Sequence, residues 1–178
     1  MSFFVHAYSN TFKMEGGKAN HPADRGRDTQ FGISLRFMES LPLIDADING
    51  DGHVTADDVY SLDPSTAAKL YKKYFWDHYR LDEIEHQRIA IKLFDTLVNM
   101  RSKMAVKIVQ RGLRACEKEV SEDGILGSQT IATINSIVQE RNLLTAMRSE
   151  QWGIYRLIIA KDPTQSAFEN GWKNRAYS

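Results

Sequence analysis

The chain has one cysteine, Cys116, so neither an internal disulfide framework nor a multi-cysteine metal cage can form. In its helical-looking stretch that thiol reads as packed or half-exposed. Neither charge is in excess: 23 basic and 23 acidic side chains cancel, without a long run of either sign. Nucleic acid as the main ligand therefore has no electrostatic footprint, and a neutral polymer or a small molecule fits better. Long apolar runs are missing too. GIYRLIIAKDP, the most apolar stretch near the end, is interrupted by Arg156 and is too short to cross a bilayer. The opening MSFFVHAYSNTFKMEGG has no basic start, apolar centre and small-residue cleavage site of a secretory signal. His6, His21, His53, His78 and His86 lack zinc-ligand spacing, which argues against a zinc amidase or peptidase.

What is present is mostly helical periodicity. At 178 residues the chain suits one compact unit, or two small lobes sharing a core. In DPSTAAKLYKKYFWDHY, Asp63 caps and Pro64 enters the first turn, while Ala67, Leu70, Tyr71, Tyr74, Phe75 and His78 recur at three and four residues. Ala90, Leu93, Phe94, Leu97 and Val98 form a second stripe, and Ala105, Ile108, Val109 and Gly112 a third. SEDGILGSQT reads as a turn feeding a helix capped by Ser128. Trp76 is expected in the core, and Trp172 lies in a terminal segment that must anchor itself. The exception to helix is NHPADRGRDTQFGIS, whose Phe31/Ile33 alternation suggests a small β-hairpin.

Phe4, Ala7, Tyr8 and Phe12 make the apolar side of a first helix, which sets Glu15 at or just past its end, before Gly16 and Gly17. A carboxylate there is poorly placed for helix stability, because the negative end of the helix dipole disfavours an anion and raises its proton affinity. A carboxyl kept protonated can act as a general acid. Glycosidic cleavage needs one, and usually a second carboxylate across the scissile bond; Asp24, nine residues on, is the nearest candidate.

EGG, then HPADRG, then DTQFGIS resembles the signature of glycoside hydrolase family 108, the N-acetylmuramidases of phage endolysins and of holin-coupled protein secretion. AAKLYKKYFWDHYRLDEI, IKLFDTLVNM, VQRGL, DGILGSQT and FENGWKNR continue the resemblance, the later ones where the family carries a peptidoglycan-binding segment. Arg27, Gln30, Phe31 and the pair Met100-Arg101 depart from the common pattern. The resemblance implies a peptidoglycan hydrolase that cleaves the β-1,4 bond following N-acetylmuramic acid. In it Glu15 is the general acid, Asp24 the carboxylate that orients water or faces positive charge, and Thr29 a hydroxyl that positions the water. Asp24 as a turn residue and Thr29 as an ordinary strand residue remain open alternatives. Implied partners are peptidoglycan and a holin giving access to it, with synthesis in the bacterial cytoplasm and action on the wall in the periplasm.

DINGDGHVTADD fits a twelve-residue calcium loop, with Asp47, Asn49 and Asp51 at positions one, three and five, the His53 carbonyl at seven and Asp58 at twelve. No second loop pairs with it, so a structural clip is expected rather than a sensor. Two rival readings stay open: a calcium-responsive binder, and a peptidoglycan-binding module without chemistry. The expected fold is mainly α (α+β) and lysozyme-like, with a small β-hairpin. A muramidase domain over residues 1–88 would carry the calcium loop 47–58, and a helical peptidoglycan-binding domain would occupy 89–178.

Overall fold

A computed structural model describes residues 3–15 and 28–178, with the backbone alone for 12–15. Among the described residues there are ten α-helical segments and one two-stranded antiparallel hairpin, which is the mainly helical class expected. No described helix is long and apolar enough to cross a membrane. The chain divides into two compact units, one of Tyr8–Phe75 and one of Met1–Ala7 with Trp76–Ser178.

In the Tyr8–Phe75 unit, the later part of helix α1 (Phe3–Glu15) precedes the hairpin of β1 (Thr29–Gln30) and β2 (Ile33–Ser34), paired Thr29 to Ser34 and Gln30 to Ile33. Phe31 (φ 52°) and Gly32 (φ 76°) both occupy the left-handed region, as a two-residue turn matched to strand twist requires. The expected Phe31/Ile33 alternation is thereby corrected: Ile33 faces the core, and Phe31 is a turn residue whose carbonyl accepts from the Tyr71 hydroxyl at 3.2 Å. Ser34 then caps α2 (Leu35–Met38), and α3 (Leu43–Ala46), α4 (Ala56–Ser61) and α5 (Pro64–Tyr71) follow. Asp63 accepts from the Ser65 and Thr66 N–H groups with Pro64 in the first turn, as the sequence implies. Met38, Ala46, Val59, Leu62, Ala67 and Leu70 form the core of this unit with Ile33.

The helix does not keep its period beyond Tyr71. Residues 72–77 wind as π-helix, whose wider turn advances the buried face by one residue. Trp76 is therefore fully buried, as expected of it, whereas His78, placed on the stripe by a 3.6-residue period, is exposed.

In the second unit Trp76 meets the rings of Phe4 and Phe94 edge-on at 5.7 Å each. Helices α6 (Gln87–Asn99), α7 (Ser102–Ala115), α8 (Ser128–Asn135), α9 (Glu140–Lys161) and α10 (Glu169–Tyr177) make up the rest, with α9 packed on α6, α7 and α10. The stripe Ala105, Ile108, Val109 and Gly112 is buried as its spacing demands. Ser128 is not the cap of α8: Gly127 holds that position without a side chain, and the Ser128 hydroxyl accepts instead from the Arg80 guanidinium.

Helix α6 is buried over more than its apolar stripe, and its polar residues there are all partnered. The Lys92 ammonium donates to the Arg175 and Ala176 carbonyls at 2.7 and 2.8 Å, and Asp95 pairs with Arg175 at 3.1 Å. These bonds satisfy carbonyls near the end of α10 that the helix itself leaves free. Burial lowers the Lys92 pKa to about 8, with Asp95 opposing the fall and Arg148 and Arg175 adding to it. An unfolded lysine titrates near ~10.4. Between these values the folded chain binds fewer protons at this site, so its contribution to stability rises with pH. Urea melts across pH 8 to 10 will show a steeper upward trend for wild type than for Lys92→Met, the difference being at most about 1.4 kcal/mol per pH unit; parallel trends would contradict a proton-binding role for this buried amine.

Candidate active site

Glu15 is the last residue of α1, the position its sequence context indicates. Asp24, with Gly16, Gly17, His21 and Arg27, lies outside the described residues. Thr29 opens β1, half-buried and paired with Ser34. Glu15 and Thr29 thus fall in the same compact unit, together with the loop 47–58.

The hairpin that carries Thr29 is tied to α4 by residues with no local signature. The Gln30 side-chain amide donates to the Tyr60 carbonyl at 3.2 Å and to the Leu62 carbonyl at 2.7 Å, groups that the end of a helix leaves without partners. The Tyr60 hydroxyl donates to the Asp28 carboxylate in a short hydrogen bond, which raises the tyrosine pKa. The Asp28 carbonyl accepts from the Leu35 N–H at 3.0 Å and closes the far side of the hairpin. Gln30 stands where the resembled family often has Asn; nothing in the sequence singles out Tyr60.

Helix α4 depends in turn on the loop before it. Asp58 is fully buried; one carboxylate oxygen accepts from Ile48 N–H (2.8 Å) and Asn49 N–H (3.2 Å), the other from Thr55 N–H (2.7 Å). The Thr55 hydroxyl accepts from Asp57 N–H, completing a capping box. Burial alone would raise the Asp58 pKa, but the Thr55, Asn49 and Ile48 N–H groups and the Thr55 hydroxyl together hold it below the usual carboxylate value. Asp47 clasps the loop, accepting from Gly50 and Asp51 N–H on one oxygen and from Gly52 N–H on the other. Asn49 and Asp51 bond to each other, and Asp51 accepts from His53 N–H. Among the described residues no three acidic, histidine or cysteine side chains converge as a metal cage. Every side chain expected to ligate calcium is nonetheless an oxygen donor, as a hard cation prefers.

Beyond residue 100, the turn in DGILGSQT is built around Gln110. This fully buried amide donates to Asp123 Oδ1 at 2.7 Å and to the Ile125 carbonyl at 3.2 Å, and accepts from Gly124 N–H at 2.9 Å. A Cβ at residue 124 would lie 2.8 Å from the Lys103 carbonyl oxygen, so only glycine fits. Trp172 stacks on Tyr155 at 5.0 Å and on Phe168 at 5.7 Å, anchoring the terminal segment as expected. Burial pushes the half-buried Cys116 thiol up, consistent with a packed residue of no special reactivity.

Glu15 at a helix end and the tethered hairpin both fall within a region to which comparison with known proteins gives a family. The chain belongs to the glycosyl hydrolase 108 family, whose model matches residues 8–100, just over half of its length. Residues 104–177 match the family described as Predicted Peptidoglycan domain. The solved structure of Brucella abortus SagA is similar, at 25% identity and a TM-score of 0.71, over 97% of this chain and 88% of that one. No curated protein matches. The enzyme class anticipated from the EGG and DTQFGIS segments is therefore correct: this is a glycosyl hydrolase.

Gln30→Ala removes both bonds to the end of α4. It is expected to cost about 1–2 kcal/mol of stability and to lower turnover of a cell-wall substrate beyond what the unfolded fraction explains; urea melts beside a turbidity assay measure both. Unchanged activity per folded molecule would detach the tether from catalysis.

Proposed function

We propose that the enzyme is an N-acetylmuramidase that cleaves the β-1,4 bond between N-acetylmuramic acid and N-acetylglucosamine, with Glu15 as general acid. The observation that carries this reading is the place of Glu15 at the end of α1 inside the region matched to glycosyl hydrolase 108. At the negative end of the helix dipole a carboxyl holds its proton more tightly than in water. Glu15 would deliver that proton to the glycosidic oxygen as the bond breaks and positive charge grows on the sugar ring. Asp24 faces that charge or orients the attacking water, and the Thr29 hydroxyl positions the water. The separation of the two carboxyl groups decides whether the anomeric centre inverts or is retained.

In this reading residues 1–88 do the chemistry and 89–178 hold the wall, the second role supported by the match over 104–177. A holin, implied by the resemblance to endolysins and secretion muramidases, gives access to the wall for lysis or for controlled opening. Glu15→Gln is expected to keep its melting temperature and lose about 10²–10⁴-fold of hydrolysis. Wild-type activity in that variant would remove Glu15 from the mechanism.

Calcium belongs to the same proposal as a structural ion. Asp47, Asn49, Asp51, the His53 carbonyl and Asp58 would hold it, and it would stiffen the loop from which α4 starts. An ion that binds only the folded chain adds about 2.7 kcal/mol at a hundred times its Kd. Calcium should therefore raise the melting temperature, a chelator should reverse the gain, and Asp51→Ala should abolish the response. A melt insensitive to calcium and to chelator would show that the loop is held by its own hydrogen bonds alone.

A further inference from the structure

Two open clefts meet at one residue near the end of α7. One, of about 640 Å³, is lined by Arg114, Lys118, Glu119 and Glu122 among others, and the other, of about 520 Å³, by Arg141, Asn142 and Thr145; Glu117 lines both. Glu117 is also in an unusual backbone state. It takes φ 61°, the left-handed position that ends a helix and that glycine fills without strain, while Lys118 N–H bonds back to the Leu113 carbonyl at 3.0 Å. A glutamate there gives up stability at a surface site, a pattern that accompanies function.

The charges around it are mixed and largely unspent. Glu122 is held by Arg111 at 2.8 Å and Lys107 at 3.6 Å, and Arg114 reaches it only at 3.7 Å. Among the described residues no ion pair or side-chain hydrogen bond engages Glu117, Lys118, Glu119 or Arg141. Neither cleft is lined by an aromatic ring, so neither offers the flat apolar face on which a sugar stacks. Resting on the reading of this region as wall-binding, we infer that the paired clefts bind the peptide stems of peptidoglycan, not its glycan. A stem carries backbone carboxylates from D-glutamate and from its terminus, and in diamino-acid stems an ammonium as well. Arg114, Lys118 and Arg141 suit the carboxylates, and Glu117 and Glu119 the ammonium, as charge-assisted pairs.

The test is an NMR titration of the full chain with a synthetic stem, L-alanyl-γ-D-glutamyl-diaminopimelyl-D-alanine, beside glycan from which the stems have been stripped. The stem should shift amide resonances in 114–122 and 141–146, and the stripped glycan should not. Lys118→Glu and Arg141→Glu should each weaken stem binding about tenfold without lowering the melting temperature. Glu117→Gly separates binding from folding: it should raise the melting temperature by roughly 2–4 °C and still weaken the stem. Stem shifts elsewhere, shifts here from stripped glycan, or charge reversals that leave affinity unchanged would overturn the assignment. Pelleting of the full chain with intact sacculi measures wall binding by itself. Pelleting without stem shifts defeats the cleft and leaves the wall-binding reading standing, whereas absence of both defeats both.

Discussion

The buried carboxylate of Asp58 is the group on which the Tyr8–Phe75 unit depends. A carboxylate withdrawn from water is costly unless its oxygens are fully bonded, and here three backbone N–H groups supply the bonds from both ends of the loop 47–58. One oxygen of that carboxylate closes the loop and the other, accepting from Thr55 N–H, completes the capping box of α4, at the helix end where a negative charge is favoured. The other end of α4 offers the Tyr60 and Leu62 carbonyls to Gln30 and so fixes the hairpin bearing Thr29. Loop, helix and hairpin are linked by consecutive hydrogen bonds, so a change in the loop has a physical route to the strand that carries Thr29. Because the Asp58 pKa is depressed by folding, its stabilising contribution is present above the ordinary carboxylate pKa and is lost as pH falls through the lowered one.

The second unit uses buried polar groups differently. Lys92 and Asp95 hold α10 through two carbonyls and one ion pair, and Gln110 fixes the 123–125 turn with its whole amide. Each satisfies groups that would otherwise be orphaned, so they order this unit more than they add net stability. The charges left over lie on its surface near Glu117, where a wall polymer can reach them.

Helix period, the Asp63-Pro64 start and the existence of the hairpin are local signals, readable because their cause lies within a few residues, whereas the place of Phe31 in the hairpin's turn was not. Glu15 belongs with them, since an acid followed by two glycines marks a helix end by short-range rules. The π turns at 72–77 broke the expected stripe because no residue type in KKYFWD announces a change of period. The roles of Lys92 and Asp95 carry no local signature, because their partner Arg175 is about eighty residues away. Gln30 and Tyr60 escaped for the same reason, the first meeting its carbonyl partners thirty and thirty-two residues on.

The central claim concerns which bond is cut. Digestion of purified sacculi, borohydride reduction of the products and mass spectrometry of the reduced ends reads that bond directly, whichever residue donates the proton. A muramidase leaves muramitol at every new end, and that is the predicted result. Glucosaminitol, or a 1,6-anhydro-muramyl end that resists reduction, would contradict it.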